Sequence, residues 1–313
     1  MTDNILLTTS KVLNLDLAPS QETNGDLPPC SLKWRKKKLW VEKITSKSRH
    51  RFTLPALKRQ QWLKECLKRS PIDRVCVDSK LGEMGIKIWA DACLATKKQI
   101  FLRIPSCPKI LQNQKSVYWR FKRMMDWCGA AVLLLILSPI LLAVAAAIAI
   151  SSPGPIFFRQ WRVGRRGKLF QIYKFRTMVI DAERQHHQIM SAQQGLHKRE
   201  DDPRVTTVGR VLRKYSLDEL PQLLNVLKGE LSLVGPRPWA LYDALRLGET
   251  KKERLNVLPG ITGAWQVESR SNLLELEAVT KCDLEYLQSW TLKRDLKILL
   301  LTVPRVFSGF GAY

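Results

Sequence analysis

Two adjacent carboxylates, Asp218 and Glu219, stand in the run Ser216-Leu217-Asp218-Glu219-Leu220-Pro221-Gln222. Arg204, Arg210, Arg213 and Lys214 lie just upstream, and Val234-Gly235-Pro236-Arg237-Pro238 lies just downstream. On local pattern alone, an acidic pair at a helix start complements the dipole and caps the chain. Among arginines the pair takes a second reading, as a site for Mg²⁺ and phosphate at a helix N-terminus. One carboxylate then attacks phosphorus while the other holds the metal. Arginine suits such a place because its planar fork grips phosphate oxygens two at a time. Pro236-Arg237-Pro238 presents one arginine on backbone stiffened from both sides, although a bare tripeptide of this kind usually reads as a loop. Pro259-Gly260-Ile261-Thr262-Gly263-Ala264-Trp265-Gln266-Val267 reads as a glycine-punctuated turn running into a strand, and Arg270 follows.

The elements that must hold these groups are partly legible. Residues 216–229 read as one amphipathic helix, with Leu217, Leu220, Leu223, Leu224 and Leu227 as its buried stripe. Ser216 and Glu219 fit a capping box, Pro221 falls near the start, and Gly229 sits where a helix stop belongs. Ile156-Phe157-Phe158 and Leu169-Phe170-Gln171-Ile172-Tyr173 flank a glycine-bearing turn and predict a hairpin, with Lys174-Phe175-Arg176 following. Residues 181–198 are polar and helix-prone. Their histidines, His186, His187 and His197, have no partner carboxylate at metal spacing and read as solvent-exposed. The amphipathic stretch 292–306 either rests on a membrane surface or packs on the core, and the sequence leaves both open.

Residues 127–150 carry no charge, are broken at Ser138-Pro139, and have basic flanks on both sides. Their length meets the ~20 residues a spanning helix needs. Hydropathy alone favours one kinked span. Lys115, Arg120, Lys122 and Arg123 before it, with Arg159, Arg162, Arg165, Arg166 and Lys168 after it, give no inside–outside asymmetry. A helix bent by Pro139 and basic at both ends is therefore expected to enter one leaflet and return.

The remaining sequence bounds the class. The 313 residues carry 52 Lys+Arg against 28 Asp+Glu, a formal charge of +24, which implies an anionic partner. The seven cysteines are scattered without a Cys-x-x-Cys pair, which suggests a reducing compartment and neither disulfides nor zinc. Residues 1–31 are polar, and no signal peptide is expected there. Residues 1–29 are expected to be disordered, and 33–69 form a dense basic stretch interleaved with Trp34, Trp40 and Trp62. That stretch reads as a solvated face, or as one attracted to anionic headgroups. Nucleic acid is not expected as a partner, because no folded reader module supports it. Residues 73–105 read as a small βαβ unit without a Gly-x-Gly-x-x-Gly signature, which argues against a nucleotide site there.

From about residue 122 onward the chain resembles the bacterial sugar transferase family, the monotopic polyprenyl-phosphate phosphoglycosyl transferases. The resemblance rests on the order of many blocks: Lys122-Arg123 with Asp126, the Ser138-Pro139 break, and Pro153-Gly154-Pro155-Ile156-Phe157-Phe158-Arg159-Gln160. It continues through Arg162-Val163-Gly164, Lys174-Phe175-Arg176-Thr177-Met178, Asp202-Pro203-Arg204, the acidic run, and Leu231-Ser232-Leu233-Val234-Gly235-Pro236-Arg237-Pro238. The family implies an α/β, membrane-associated monotopic catalytic domain with a re-entrant helix, on the cytoplasmic face of the inner membrane. The expected layout is a basic, disordered region over 1–70, a small α/β module over 71–115, and the transferase domain over 116–313 with its membrane helix at 124–150.

The resemblance also implies a ping-pong reaction initiating exopolysaccharide repeat units. Asp218 would attack the sugar-linked phosphate of a UDP-sugar and expel UMP, and polyprenyl phosphate would then take the phosphosugar. Glu219 would bind Mg²⁺, the Pro236-Arg237-Pro238 loop would hold the nucleotide, and Arg270 would contact phosphate. Lys174, Arg176 and Arg204 would be further site residues. The competing reading is an idle membrane-bound scaffold that recruits polysaccharide-assembly proteins. Where relatives usually carry Ser-Gly after Gln-Val, this chain has Glu268-Ser269, which bears on sugar choice. Many longer relatives place four transmembrane helices before a small α/β domain, and only residues 73–105 resemble that domain here.

Overall fold

The computed structural model describes residues 29–44, 52–54, 60–105, 117–180, 182, 202–247, 249–268 and 276–308. Arg270, Ser269 and the three histidines at 186, 187 and 197 lie outside the described residues. The chain divides into two compact units: Met1–Ile104 with 167–169 and 241–246, and the rest.

The first unit is a five-stranded sheet with helices. Its strands are β1 (Cys30–Arg35), β2 (Lys38–Lys43), β3 (Phe52–Leu54), β4 (Arg74–Val77) and β5 (Gln99–Leu102), in the order β3-β1-β2-β4-β5. The predicted βαβ unit is present: β4 and β5 are parallel, joined through α2 (Gly82–Ala95), which follows α1 (Gln60–Arg69) in the chain. The sheet also takes in the basic stretch. β1 and β2 form an antiparallel hairpin turning at Lys36, whose φ is 54°, and β2 continues parallel to β4. For the strands and helix described between residues 30 and 69 the expectation of a disordered arm over 1–70 is therefore corrected, and the α/β module begins before residue 71. The physical reason is alternation. Leu32, Leu39 and Val41 turn inward while Lys33, Arg35 and Lys38 turn out, so a run dense in charge still offers the sheet an apolar face. Leu63 and Leu67 do the same for α1.

The second unit contains the bent apolar segment, α3 (Val117–Ile136) and α4 (Ser138–Ser151), which meet at 62°. No single described helix is long and apolar enough to cross a membrane; only the pair together is. Pro139 sits in the first turn of α4 and has no N–H to give Leu135 one turn back. The Ser138 hydroxyl donates to that Leu135 carbonyl instead, at 2.8 Å, so the break leaves no acceptor there unsatisfied. Val132, Leu133, Leu135, Ile136, Ile140 and Leu142 around the bend are exposed. The two ends of the pair are tied into the unit: Ala130 packs with Phe170, Ile172, Leu223, Val226 and Leu231, and Val144 and Ile148 pack with Phe175 and Leu212. Lys122, one of the flanking charges, is itself buried.

Beyond α4 the predicted hairpin forms from β6 (Phe157–Val163) and β7 (Leu169–Phe175). Next come α5 (Thr207–Lys214), a 3₁₀ turn (Leu217–Gln222) and α6 (Leu223–Leu227). The expected single helix over 216–229 is thus corrected to a 3₁₀ turn followed by one short helix. Ser216 adopts a left-handed conformation at φ 53° and its side chain caps nothing, so the capping box does not form. Pro221 cannot supply the amide that an α-turn starting at Leu217 would require, and the tighter turn results. The leucine stripe is divided as well: Leu223 is buried, whereas Leu224 and Leu227 are exposed. Gly229, at φ 81°, ends the helix as expected.

Two short parallel strands, β8 (Ser232–Val234) and β9 (Gly260–Thr262), pair Ser232 with Gly260 and Val234 with Thr262. The run 259–267, expected as a glycine turn running into a strand, is β9 followed by α7 (Ala264–Glu268), which is started by bonds from the Gln266 and Val267 amides to the Gly263 carbonyl. α8 (Leu276–Gln288) and α9 (Leu292–Ser308) close the unit over a core of Val234, Val257, Tyr286, Leu287 and Ile298. A Cβ on Gly260 would fall inside the van der Waals radii of the Gly235 N and Cα. Gly260→Ala is expected to cost about 2–3 kcal/mol through overpacking, read as a lowered urea midpoint, and to displace the segment that follows Val234.

Candidate active site

α5 starts with the Thr206 hydroxyl accepting from the Gly209 amide at 2.9 Å, and carries Arg213 toward the acidic turn. The left-handed Ser216 then reverses the chain, and the 3₁₀ turn presents Asp218 and Glu219 against β7. Asn225, on α6, stitches the two elements together. Its amide oxygen accepts from the Tyr173 N–H at 3.0 Å and its amide nitrogen donates to the Gln171 carbonyl at 2.8 Å. That pairing sets the register at which Lys174, the next residue of β7, meets the carboxylates.

The Lys174 ammonium lies 2.7 Å from Glu219 Oε1 and 3.8 Å from Asp218 Oδ2. The Arg237 guanidinium reaches the same Glu219 oxygen at 3.2 Å. Arg162, Ile172, Lys174, Glu219, Gln222, Arg237, Pro238 and Ile261 line one cleft. Burial pushes the Asp218 carboxyl above the usual carboxylate range and the neighbouring Glu219 adds to this, while Lys174, Arg213 and Arg237 pull it back. Arg213 donates to the Thr177 hydroxyl at 3.0 Å and is one of the cations that favour the ionised Asp218. The arrangement offers a desolvated carboxylate beside a cluster of cations, which suits attack on, and neutralisation of, an anionic phosphorus centre.

The other predicted site residues are placed differently. Arg176 is buried and bonds the Ser152 carbonyl and hydroxyl, both at 2.7 Å, and the Pro153 carbonyl at 2.5 Å, securing the turn after α4. Arg204 forms a two-point ion pair with Asp202, at 2.8 and 2.6 Å, and donates to the Ala182 carbonyl at 3.2 Å. That pair holds the Asp202 carboxyl below its usual range. Both arginines thus bond to the scaffold around the cleft in this structure; like Asp218 and Pro236, they are absent from its lining. Pro236 and Pro238 flank Arg237 as expected, whereas Arg270 is not described. Sequence reading did not select Arg162, Arg213, Gln222 or Asn225 as site residues. The Arg162-Val163-Gly164 block and the basic run before Asp218 were the available signals for the first two.

Among the described residues no group of three or more His, Cys, Asp or Glu side chains lies together as a metal site. Asp218 and Glu219 are the residues that would hold Mg²⁺, an ion commonly bound by one or two carboxylates with substrate phosphates and water completing its shell.

Residues 117–309 match the family described as bacterial sugar transferase. The matching segment is 43% identical over 194 residues to galactosyl transferase CpsE of Streptococcus agalactiae, covering 61% of this chain and 43% of that protein. It is 44% identical over 200 residues to the UDP-glucose:undecaprenyl-phosphate glucose-1-phosphate transferase of Caulobacter vibrioides, covering 61% of this chain and 72% of that one. It is 40% identical over 200 residues to the exopolysaccharide production protein ExoY of Sinorhizobium fredii, covering 61% and 88%.

Proposed function

Since the chain belongs to the bacterial sugar transferase family, we propose that it transfers a sugar-1-phosphate from a UDP-sugar to polyprenyl phosphate and releases UMP. The observation that carries this reading is the meeting of Glu219 with Lys174 and Arg237 at one cleft inside the family segment, with the Asp218 carboxylate beside it, 3.8 Å from the Lys174 ammonium. An Asp218 oxygen bonds to the phosphorus that bears the sugar, the bond to the bridging oxygen breaks, and UMP leaves with the electron pair. An oxygen of polyprenyl phosphate then attacks the same phosphorus and returns the carboxylate. Lys174 and Arg237 neutralise the diphosphate oxygens, and Arg213 favours the ionised nucleophile. Glu219 is the residue that would hold Mg²⁺, whose charge adds to that neutralisation.

The bent α3–α4 pair supports a re-entrant anchor on the cytoplasmic face, because its exposed apolar residues cluster around the bend while both ends pack into the same unit. An anchor of this form keeps the acidic pair near headgroup depth, where a lipid phosphate resides. The relatives are named for glucose-1-phosphate transfer, galactosyl transfer and exopolysaccharide production, which makes UDP-glucose and UDP-galactose the donors to try. A catalytically idle scaffold is not favoured, since Asp218, Glu219 and Arg237 are all retained.

The test is UMP release by the purified protein in lipid nanodiscs with undecaprenyl phosphate, offered UDP-glucose and UDP-galactose separately. One of the two is expected to yield UMP, and release from neither would overturn the reading. Single cysteines introduced at positions 115 and 155 in a chain freed of its own cysteines are both expected to resist a membrane-impermeant thiol reagent added from outside the cell. Labelling of either position would exclude the re-entrant form.

A further inference from the structure

The loop holding Arg237 is unusual in how its carbonyl oxygens are used. The Val234 carbonyl accepts from the Lys122 ammonium at 3.0 Å, and the Pro236 carbonyl accepts from the Gly260 amide at 2.9 Å. The Arg237 carbonyl accepts from Arg254 Nη2 at 3.0 Å, and the Pro238 carbonyl accepts from Arg162 Nη1 at 3.1 Å. Oxygens that would repel a phosphate are thereby engaged by donors. Pro236 and Pro238 have no N–H, so the loop's strong donor toward an anion is the Arg237 side chain.

Arg254 is the costly member of this set. Its guanidinium is fully buried, ion-paired with Asp283, and lies 4.4 Å over the Trp239 ring. Its Nε and Nη1 have no hydrogen-bond partner among the described residues. A buried ion pair with unsatisfied donors is commonly no better for stability than an apolar pair of the same size. Arg254 also donates to the backbone carbonyl of Arg237, a bond an apolar pair could not make.

We propose that Arg254, oriented by Asp283 and Trp239, is a positioning residue: it holds the Arg237 backbone so that the Arg237 side chain meets the substrate diphosphate in a fixed geometry. This rests on the diphosphate-handling role given above to Arg237. Arg254 touches no substrate, and it acts through the carbonyl it grips.

The experiment compares wild type with Arg254→Met/Asp283→Leu, which removes both buried charges together, and with Arg254→Lys, which keeps a charge opposite Asp283. In the full protein in nanodiscs the melting temperature of at least one variant is expected to stay close to that of wild type. Amides between residues 235 and 240 in that variant should exchange about tenfold faster, because the local opening is no longer restrained. KM for UDP-glucose should rise about tenfold with kcat at saturation changed less, as for a lost binding geometry. On an Arg237→Ala background the same change should alter kcat/KM less than about twofold, since the residue it acts through is gone. Unchanged exchange at 235–240, or an undiminished loss on the Arg237→Ala background, would overturn the proposal. Should wild type release no UMP, the functional reading fails while the exchange measurement still decides this one.

Discussion

Asp218→Asn is expected to lower UMP release by at least about 10³-fold, the scale on which removing an attacking group acts, and to leave a protein at least as heat-stable as wild type. The two effects share one cause. Burial raises the Asp218 carboxyl above its ordinary value, so the folded protein binds a proton there more tightly than the unfolded chain does. Stability contributed by this group is therefore complete below the unfolded value and falls as pH rises toward the folded value. At neutral pH the ionised carboxylate is a standing cost, and the amide removes it. The same shift predicts that kcat/KM of wild type climbs with pH on the acid side as Asp218 ionises. Thermal melts at pH 5 and 7.5 alongside UMP assays check both parts. Full activity in Asp218→Asn, or a marked loss of stability at neutral pH, would remove Asp218 from the role given to it.

Lys122→Met is expected to cost about 3–5 kcal/mol of stability, the usual consequence of breaking a buried charge pair by deleting one partner. Lys122 is buried and lies 2.7 Å from Asp295 and 3.7 Å from Asp126. Asp295 in turn accepts from the Tyr286 hydroxyl at 2.6 Å and the Trp290 indole at 3.1 Å, tying α9 to α8 and to the root of α3. Removing the ammonium leaves Asp295 buried without its cation, while Asp126 keeps Arg123 at 3.3 Å. Adding Asp295→Asn should restore part of the loss, a coupling that denaturant titration in detergent reads directly. A cost below about 1 kcal/mol would mean the network is solvated, as surface pairs are.

Chemistry was more legible in the sequence than shape. Asp218, Glu219 and Arg237 could be selected because their residue types are meaningful in the company of arginines, and Lys174 because it belongs to a recognisable block. Arg176 and Arg204 were selected by the same logic, yet they are bound into the scaffold, since sequence does not reveal which way a guanidinium turns. The helix over 216–229 misled because its leucine spacing was correct while Pro221 removed the amide on which its first turn depended. The basic N-terminal stretch misled in the opposite way: total charge hid Leu39 and Val41, two apart on β2, and Leu32, which the hairpin sets opposite Val41. Asn225 gave no signal, because one asparagine beside leucines carries no pattern until β7 lies against it.

The root of α3 has a mechanical consequence. Arg123 donates to the Leu231 and Val226 carbonyls at 2.7 and 2.9 Å, and Asp126 accepts from the Ser232 hydroxyl at 2.7 Å and the Leu233 amide at 3.1 Å. With Lys122 on Val234, these bonds clamp four successive residues, 231–234, to one helix immediately before the backbone enters Gly235 and Arg237. The root of α3 and the strand leading to Arg237 are thus joined as one piece, so a displacement of that root would be carried into the backbone that presents the Arg237 side chain.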